Sequence, residues 1–171
     1  MKADSKKPEC MTSLYGDTLV PKTHGRIVFR GLVDTLQAEV IEAQVLASEL
    51  GEAESCANLG EILDFLRALM AAEVKETPLA PPFLFGMDAD EIHRKSHECV
   101  ICNAEGKPVL PDYTHGPLAA RVNTLRAKTR EVELCSVKVF GGLREDIILA
   151  LNRLSSALWW LTWRQAMQNK I

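Results

Sequence analysis

Long apolar runs, a secretion signal and a regular cysteine framework are all missing from this sequence of 171 residues. The longest apolar run near the C-terminus, residues 157–162, is far too short to span a bilayer. No apolar stretch follows the charged N-terminus MKADSKKPEC, so no secretory signal is visible. Five cysteines, an odd number without regular spacing, favour a reducing compartment over a disulfide scaffold. These absences predict a cytoplasmic protein that does not enter a membrane.

An excess of positive charge is missing as well. The formal net charge is -3, which argues against a protein that binds nucleic acid mainly through electrostatics. Hydrophobic residues make up 47% of the chain and charged residues 25%, as is ordinary for a globular domain. We expect a flexible N-terminal tail over residues 1–10 and a single domain over residues 11–171.

No segment of the sequence is convincing as a β-strand, whereas helical periodicity is clear in four long segments and one short one. These segments cover approximately residues 29–50, 57–74, 87–97, 117–140 and 145–167. Residues 11–26 contain two glycines, a proline and several hydroxyl side chains, and this composition indicates an ordered loop. The pattern predicts an all-α fold, a helical bundle with five helices.

Histidines and cysteines are concentrated in the segment EIHRKSHECVIC, residues 91–102. His93 and His97 stand four residues apart, so a helix would place both on one face. Cys99 and Cys102 follow in a Cys-x-x-Cys spacing. Together the four side chains could form a tetrahedral site for zinc or ferrous iron. His115 is a spare ligand beyond the intervening loop.

Other interpretations of the same segment do not need a metal. A lone Cys-x-x-Cys can be a redox pair or two unrelated thiols. His97 could simply favour the C-terminal end of a helix. The density of ligand-type side chains within twelve residues favours the metal site.

A second cluster is charged rather than metal-binding in type. Arg126, Arg130 and Glu133 are spaced four and three residues apart, which places them on one helix face. Two arginines one helical turn apart repel each other unless an anionic ligand or a carboxylate side chain neutralises them. Asn152 is polar but lies beside an apolar stripe. No Gly-x-x-x-x-Gly-Lys-[Ser/Thr] motif is present, so a standard P-loop is excluded, and a solvated charged face is the plainer interpretation.

Four segments carry a resemblance to a known family, the ATP:corrinoid adenosyltransferases. The first, TSLYGDTLVPKTHGRIVFRGLVDTLQAEV, resembles the opening of the propanediol-utilisation type. The others are more similar to the ethanolamine-utilisation type: DADEIHRKSH, THGPLAARVNTLRAKTREVE and REDIILALNRLSSALWW. The segments LRAKTRE and LNRLSS are the most specific. The resemblance implies a five-helix bundle that forms a homo-oligomer, a dimer or a trimer, with ATP bound at subunit interfaces.

The reaction implied by the resemblance is attack of cob(I)alamin on the 5′ carbon of ATP, which gives adenosylcobalamin and triphosphate. By position, the residues expected around ATP are Arg130, Glu133 and Asn152, and those expected to hold the triphosphate, with Mg²⁺, are Thr12, Ser13 and Lys22. Asp34 matches a family aspartate that pairs with an arginine across the interface, and Arg126 is its expected partner. Because the nucleophile is the cobalt, the protein need only position C5′ and stabilise the leaving triphosphate.

The resemblance also implies a His/Cys metal site, whose role is to help remove the lower axial ligand of cobalamin. It is compatible with a location inside a bacterial microcompartment. Two other functions stay open. One is a non-catalytic metal-binding bundle that carries a corrinoid or assists assembly, motivated by a shortened phosphate loop. The other is a thiol redox sensor built on Cys99 and Cys102.

Overall fold

The computed structural model describes residues 7–99 and 109–168 of the chain. These residues form two short strands, β1 (Met11–Tyr15) and β2 (Thr18–Pro21), and five α-helices. The helices are α1 (Gly25–Glu49), α2 (Ala53–Lys75), α3 (Ala89–Glu98), α4 (Pro117–Phe140) and α5 (Glu145–Gln168), with a 3₁₀ turn at Tyr113–His115 before α4. The prediction of an all-α fold with five helices is confirmed.

Local signals fix where the helices begin and end. The Asp88 carboxylate caps α3 by accepting hydrogen bonds from the backbone N–H groups of Asp90 and Glu91, at 3.0 and 2.9 Å. Pro117 occupies the first turn of α4, where its missing N–H costs nothing. Gly141, with φ of +54°, ends α4 in a conformation that favours glycine.

The four long helices form an antiparallel bundle around one hydrophobic core. Short connections join α1 to α2 and α4 to α5. Arg121 near the start of α4 pairs with Glu42 near the end of α1, and Arg164 near the end of α5 pairs with Glu54 at the start of α2. The core contains fully buried apolar side chains from all four helices, among them Phe29, Leu66, Leu125 and Leu154. The short helix α3 packs against α5.

Polar contacts tie the start of α5 to the chain that leaves α2. The Arg144 guanidinium donates to both carboxylate oxygens of Asp146 at 2.9 Å, and the backbone N–H of Leu79 donates to the same carboxylate at 2.8 Å. These hydrogen bonds, with Arg144 as the largest cause, lower the pKa of Asp146 to about 2. In the described part of the chain, no helix is long and apolar enough to cross a membrane.

The expectation of a loop over residues 11–26 is wrong for most of that segment, because β1 and β2 pair as an antiparallel hairpin. Only two residues, Gly16 and Asp17, separate the strands, and Gly16 has a φ of +49°. A two-residue connection with positive φ suits the twist of a hairpin. The strands are too short for their alternation to stand out in the sequence: only Leu14 is buried among the residues of β1.

One buried carboxylate attaches this hairpin to the bundle. Glu73 of α2 is fully buried, and its two oxygens accept hydrogen bonds from the Nε atoms of Arg26 and Arg30, each at 2.5 Å. Arg30 also donates through Nη1 to the backbone carbonyl of Leu14 in β1 at 2.7 Å. The hairpin is therefore positioned against α1 and α2 by a buried ionic network, which we call the Glu73 network.

Candidate active site

A pocket of about 660 Å³ opens between α3, α4 and α5, within the usual range for small-molecule sites. It brings together several residues that the sequence predicts to be functional. They are His93 and His97 on α3, Arg126, Arg130 and Glu133 on α4, and Asn152 on α5. The pocket is completed by Ser96, Leu110, Pro111, Asn123, Ser155, Ser156 and Trp159.

The two arginines contribute positive charge to a pocket that also contains the carboxylate of Glu133. Arg126 donates through Nε to the side-chain oxygen of Asn123 at 2.8 Å, and its guanidinium lies 5.3 Å from the ring centre of Trp159. Within residues 7–99 and 109–168, neither Arg126 nor Arg130 forms an ion pair. Burial, together with the nearby charge of Arg130, lowers the pKa of Arg126. Such a pair of unopposed cations is suited to an anionic ligand.

Beside the arginines, the side chains of Asn152 and Glu133 are joined by a hydrogen bond. The side-chain NH₂ of Asn152 donates to Oε1 of Glu133 at 2.9 Å, which links α5 to α4 across the pocket wall. Both side chains are half-buried. An amide and a carboxylate held this way can accept hydrogen bonds from the hydroxyl or amino groups of a ligand.

The two histidines lie together at the edge of the same pocket. Both side chains are exposed, and their ring centres are 4.6 Å apart with the planes at 82°. Two imidazoles at this separation can both contact one ion. The predicted proximity of His93 and His97 on one helix face is therefore present in the structure.

The sequence is similar to those of known proteins. A model of the cobalamin adenosyltransferase family matches residues 4–164. The chain belongs to this family. It is 35% identical over 159 residues to the corrinoid adenosyltransferase EutT of Salmonella typhimurium, and 32% identical over 160 residues to EutT of Escherichia coli strain K12. The matches cover 90% and 91% of this chain but only 58% of each relative, so the chain spans less than two thirds of their length.

Of the two cysteines predicted to complete a metal site in this cobalamin adenosyltransferase family member, only Cys99 lies within the described residues. Cys99 ends α3, and its thiol donates to the backbone carbonyl of Ser96 at 3.3 Å. Its side chain packs against the cluster formed by Ala119, Trp163 and Ala166. Burial raises the pKa of the Cys99 thiol, whereas a metal ligand must be a thiolate. Cys102 lies outside the described residues.

The histidine pair could therefore supply two ligands to a metal ion. The Cys99 thiol could not supply another while it stays packed among apolar side chains. No group of three or more His, Cys, Asp or Glu side chains arranged to hold a metal occurs among the described residues. His115, the predicted spare ligand, is buried and packs edge-to-face against Trp163 with ring centres 5.5 Å apart. Its Nδ1 accepts from the backbone N–H of Asp112 at 3.0 Å, so in this chain it completes a turn before α4.

The remaining predicted residues of this adenosyltransferase family member lie away from the pocket. Thr12 and Ser13 are in β1, and Lys22 is exposed just after β2, so the hairpin holds all three. Asp34 is exposed on α1 and forms no ion pair with any described residue. None of the four lines the pocket between α3, α4 and α5.

Several pocket residues of this family member were not predicted from the sequence, although the helical spacing of some of them places them beside residues that were. Asn123 precedes Arg126 by three residues on the same face of α4, and Ser155 and Ser156 follow Asn152 by one helical turn on α5. Leu110 and Pro111 lie just before the 3₁₀ turn, and no periodic pattern connects them to the helices.

Proposed function

We propose that this chain transfers the 5′-deoxyadenosyl group of ATP to cob(I)alamin. Its support is family membership combined with one observation: two arginines without a carboxylate partner among the described residues face a pocket that also contains Glu133 and Asn152. ATP, as its magnesium complex, supplies the anion that these arginines lack, and the corrinoid is the second substrate.

The reaction requires neither a nucleophile from the protein nor a proton transfer. The cobalt(I) electron pair forms a bond to C5′, and the C5′–O5′ bond breaks, so that its electron pair leaves with the triphosphate. Arg130 and Arg126 would stabilise the negative charge that develops on the leaving group. Glu133 and Asn152 would orient the nucleoside, so that C5′ stays in line between cobalt and the leaving oxygen. The face of Trp159 is an apolar wall beside the reacting groups.

We also propose that the site is completed by a second copy of the chain, in a dimer or a trimer. Thr12, Ser13 and Lys22, the residues expected to hold the triphosphate, lie on a hairpin packed against α1 and α2, whereas the pocket is bounded by α3, α4 and α5. A neighbouring subunit could bring its hairpin to this pocket. Asp34 and Arg126 could then pair across the interface, which is consistent with the absence of an ion pair at either side chain in the described residues.

The decisive experiment supplies the reduced corrinoid chemically, so that no reductase partner is needed. Purified protein is mixed without oxygen with cob(I)alamin and MgATP, and photolabile adenosylcobalamin and free triphosphate are quantified. We expect one triphosphate per adenosylcobalamin, and no product when ATP is omitted. If neither product forms and calorimetry detects no ATP binding, the proposed function is wrong. Corrinoid binding without product would indicate a carrier.

We further propose that His93 and His97 bind zinc or ferrous iron, with Cys99 and Cys102 as the candidates for the other two ligands. Metal binding would require the Cys99 thiol to leave its apolar contacts and lose its proton. The family resemblance assigns to such a metal the removal of the lower axial ligand of cobalamin. That resemblance is also the reason to assign the reaction to ethanolamine utilisation, in the cytoplasm or inside a microcompartment.

Elemental analysis of protein purified without oxygen tests the metal ligands. We expect about one metal ion per chain, the stoichiometry of a tetrahedral site, and its loss both in His93→Gln/His97→Gln and in Cys99→Ala/Cys102→Ala. The control Cys56→Ala/Cys135→Ala removes two thiols from α2 and α4 and should keep the metal. Loss in the histidine variant alone would exclude the cysteines as ligands, and retention in both variants would place the metal elsewhere.

A further inference from the structure

Arg153, next to Asn152 on α5, is a half-buried cation that forms no ion pair with any described residue. In the described part of the chain its side chain has one hydrogen-bond partner, the side-chain oxygen of Asn152, which accepts from Nη1 at 2.6 Å. Its Nε is buried and has no partner there. A buried donor without a partner opposes folding, so a contribution to stability does not readily account for this conformation of the arginine.

The contact is also unusual for its position. Adjacent residues on a helix point about 100° apart and do not normally face each other. The Arg153 side chain must therefore turn back along α5 to reach the amide of Asn152. This holds a long, otherwise flexible side chain in one conformation, with the entropy cost that such ordering carries.

The two partners of Asn152 leave its amide only one orientation. Arginine can only donate hydrogen bonds, so the side-chain oxygen of Asn152 must face Arg153. An ionised glutamate can only accept, so the NH₂ group must face Glu133, as the distance of 2.9 Å shows. Without Arg153, the side-chain oxygen of Asn152 would lose its donor, and the amide would be held only by its hydrogen bond to Glu133.

We propose that Arg153 is a positioning residue that fixes the amide of Asn152 and, through it, the carboxylate of Glu133 in the pocket. The role in catalysis rests on the proposed function, because Asn152 and Glu133 are the groups assigned to the nucleoside. Arg153 itself does not line the pocket. It acts on the reaction only by setting the direction of two groups that do.

A double-mutant cycle on adenosyl transfer tests this role. Arg153→Met keeps the length of the side chain but removes its donors, and we expect kcat/KM for ATP to fall roughly 10- to 100-fold, the range for a lost hydrogen bond from a charged group. In an Asn152→Ala background the same change should cost less than about threefold, because the group that it positions is gone. Arg153→Lys should recover most of the loss, since a single donor is used.

The control is Arg164→Met, which removes a partly exposed arginine from the same helix, far from Asn152 in sequence and paired with Glu54. It should leave kcat/KM for ATP within about twofold of the unsubstituted protein, as expected for a surface ion pair. An equal loss from Arg153→Met with and without Asn152 would overturn the proposal, because Arg153 would then act through another group. An unchanged kcat/KM in Arg153→Met would also overturn it.

A second measurement does not depend on catalysis. In protein labelled with ¹⁵N-asparagine, the side-chain NH₂ signal of Asn152 is identified by its loss in Asn152→Ala. We expect its exchange with solvent to accelerate at least about tenfold in Arg153→Met, because the hydrogen bond to Glu133 opens more often. If the unsubstituted protein transfers no adenosyl group, the proposed function fails, and this exchange rate still decides whether Arg153 positions Asn152. An exchange rate that Arg153→Met does not alter would refute the positioning role.

Discussion

Replacing Arg130 with methionine is expected to lower kcat/KM for ATP by roughly 10²- to 10³-fold, the effect of removing one donor that stabilises charge in a transition state. Arg130 is exposed at the pocket and, in the described part of the chain, forms no ion pair or hydrogen bond through its side chain. Its loss should therefore leave folding almost unchanged and affect the bound anion alone. Steady-state kinetics with chemically reduced cobalamin measures the change.

The matched control is Arg67→Met on α2. Arg67 is also exposed, has Asp64 at 3.2 Å as its one ion-pair partner among the described residues, and lies outside the pocket, so the variant should retain normal kcat/KM. Circular dichroism on both variants checks that the helices are intact. If Arg130→Met and Arg67→Met were equally active, Arg130 would have no part in binding the nucleotide, and the solvated charged face would be the correct interpretation.

The second prediction with a large effect concerns the stability of the fold. Glu73→Gln is expected to lower the free energy of unfolding by about 3–5 kcal/mol, the cost of leaving buried charges without their partner. Glutamine offers one acceptor oxygen, and its NH₂ group would face the donor groups of Arg26 or Arg30, which cannot accept. Urea unfolding followed by circular dichroism gives the difference.

Glu76→Gln serves as the comparison, because Glu76 also accepts from Arg26, at 2.6 Å, but its side chain is 54% exposed. An exposed ion pair of this kind contributes about 0–1 kcal/mol. The two substitutions thus remove the same charge from two environments. Similar losses of stability in both would mean that water reaches Glu73, contrary to the burial on which the Glu73 network depends.

The helices could be predicted from the sequence because their causes are local. For α4 the predicted limits match the structure, since a proline in its first turn and a glycine after Phe140 mark both ends. The hairpin could not be predicted in the same way. Strands of five and four residues give too little alternation, and the hydrogen bond that ties them to α1 joins the backbone carbonyl of Leu14 to Arg30, 16 residues later.

In the candidate site, too, contacts within one helix can be predicted from the sequence, whereas contacts between helices cannot. Arg126, Arg130 and Glu133 share a face of one helix, so spacing alone predicts their proximity. Their meeting with Asn152 depends on how α5 packs against α4, and the sequence suggests it only through resemblance to a family. The partners of Glu73 lie 47 and 43 residues away, at Arg26 and Arg30, and no pattern in the sequence joins them.

Under the proposed function, the two arginines of the pocket would also link folding to nucleotide concentration. In the free protein, Arg126 and Arg130 repel each other and Arg126 is partly desolvated, so the empty pocket opposes folding. If the pocket binds ATP as proposed, the bound triphosphate would remove this cost and favour the folded chain, and the melting temperature would rise as ATP accumulates. At a concentration 100 times the dissociation constant, the gain is about 2.7 kcal/mol. The lifetime of the protein against unfolding would then follow the supply of its own substrate.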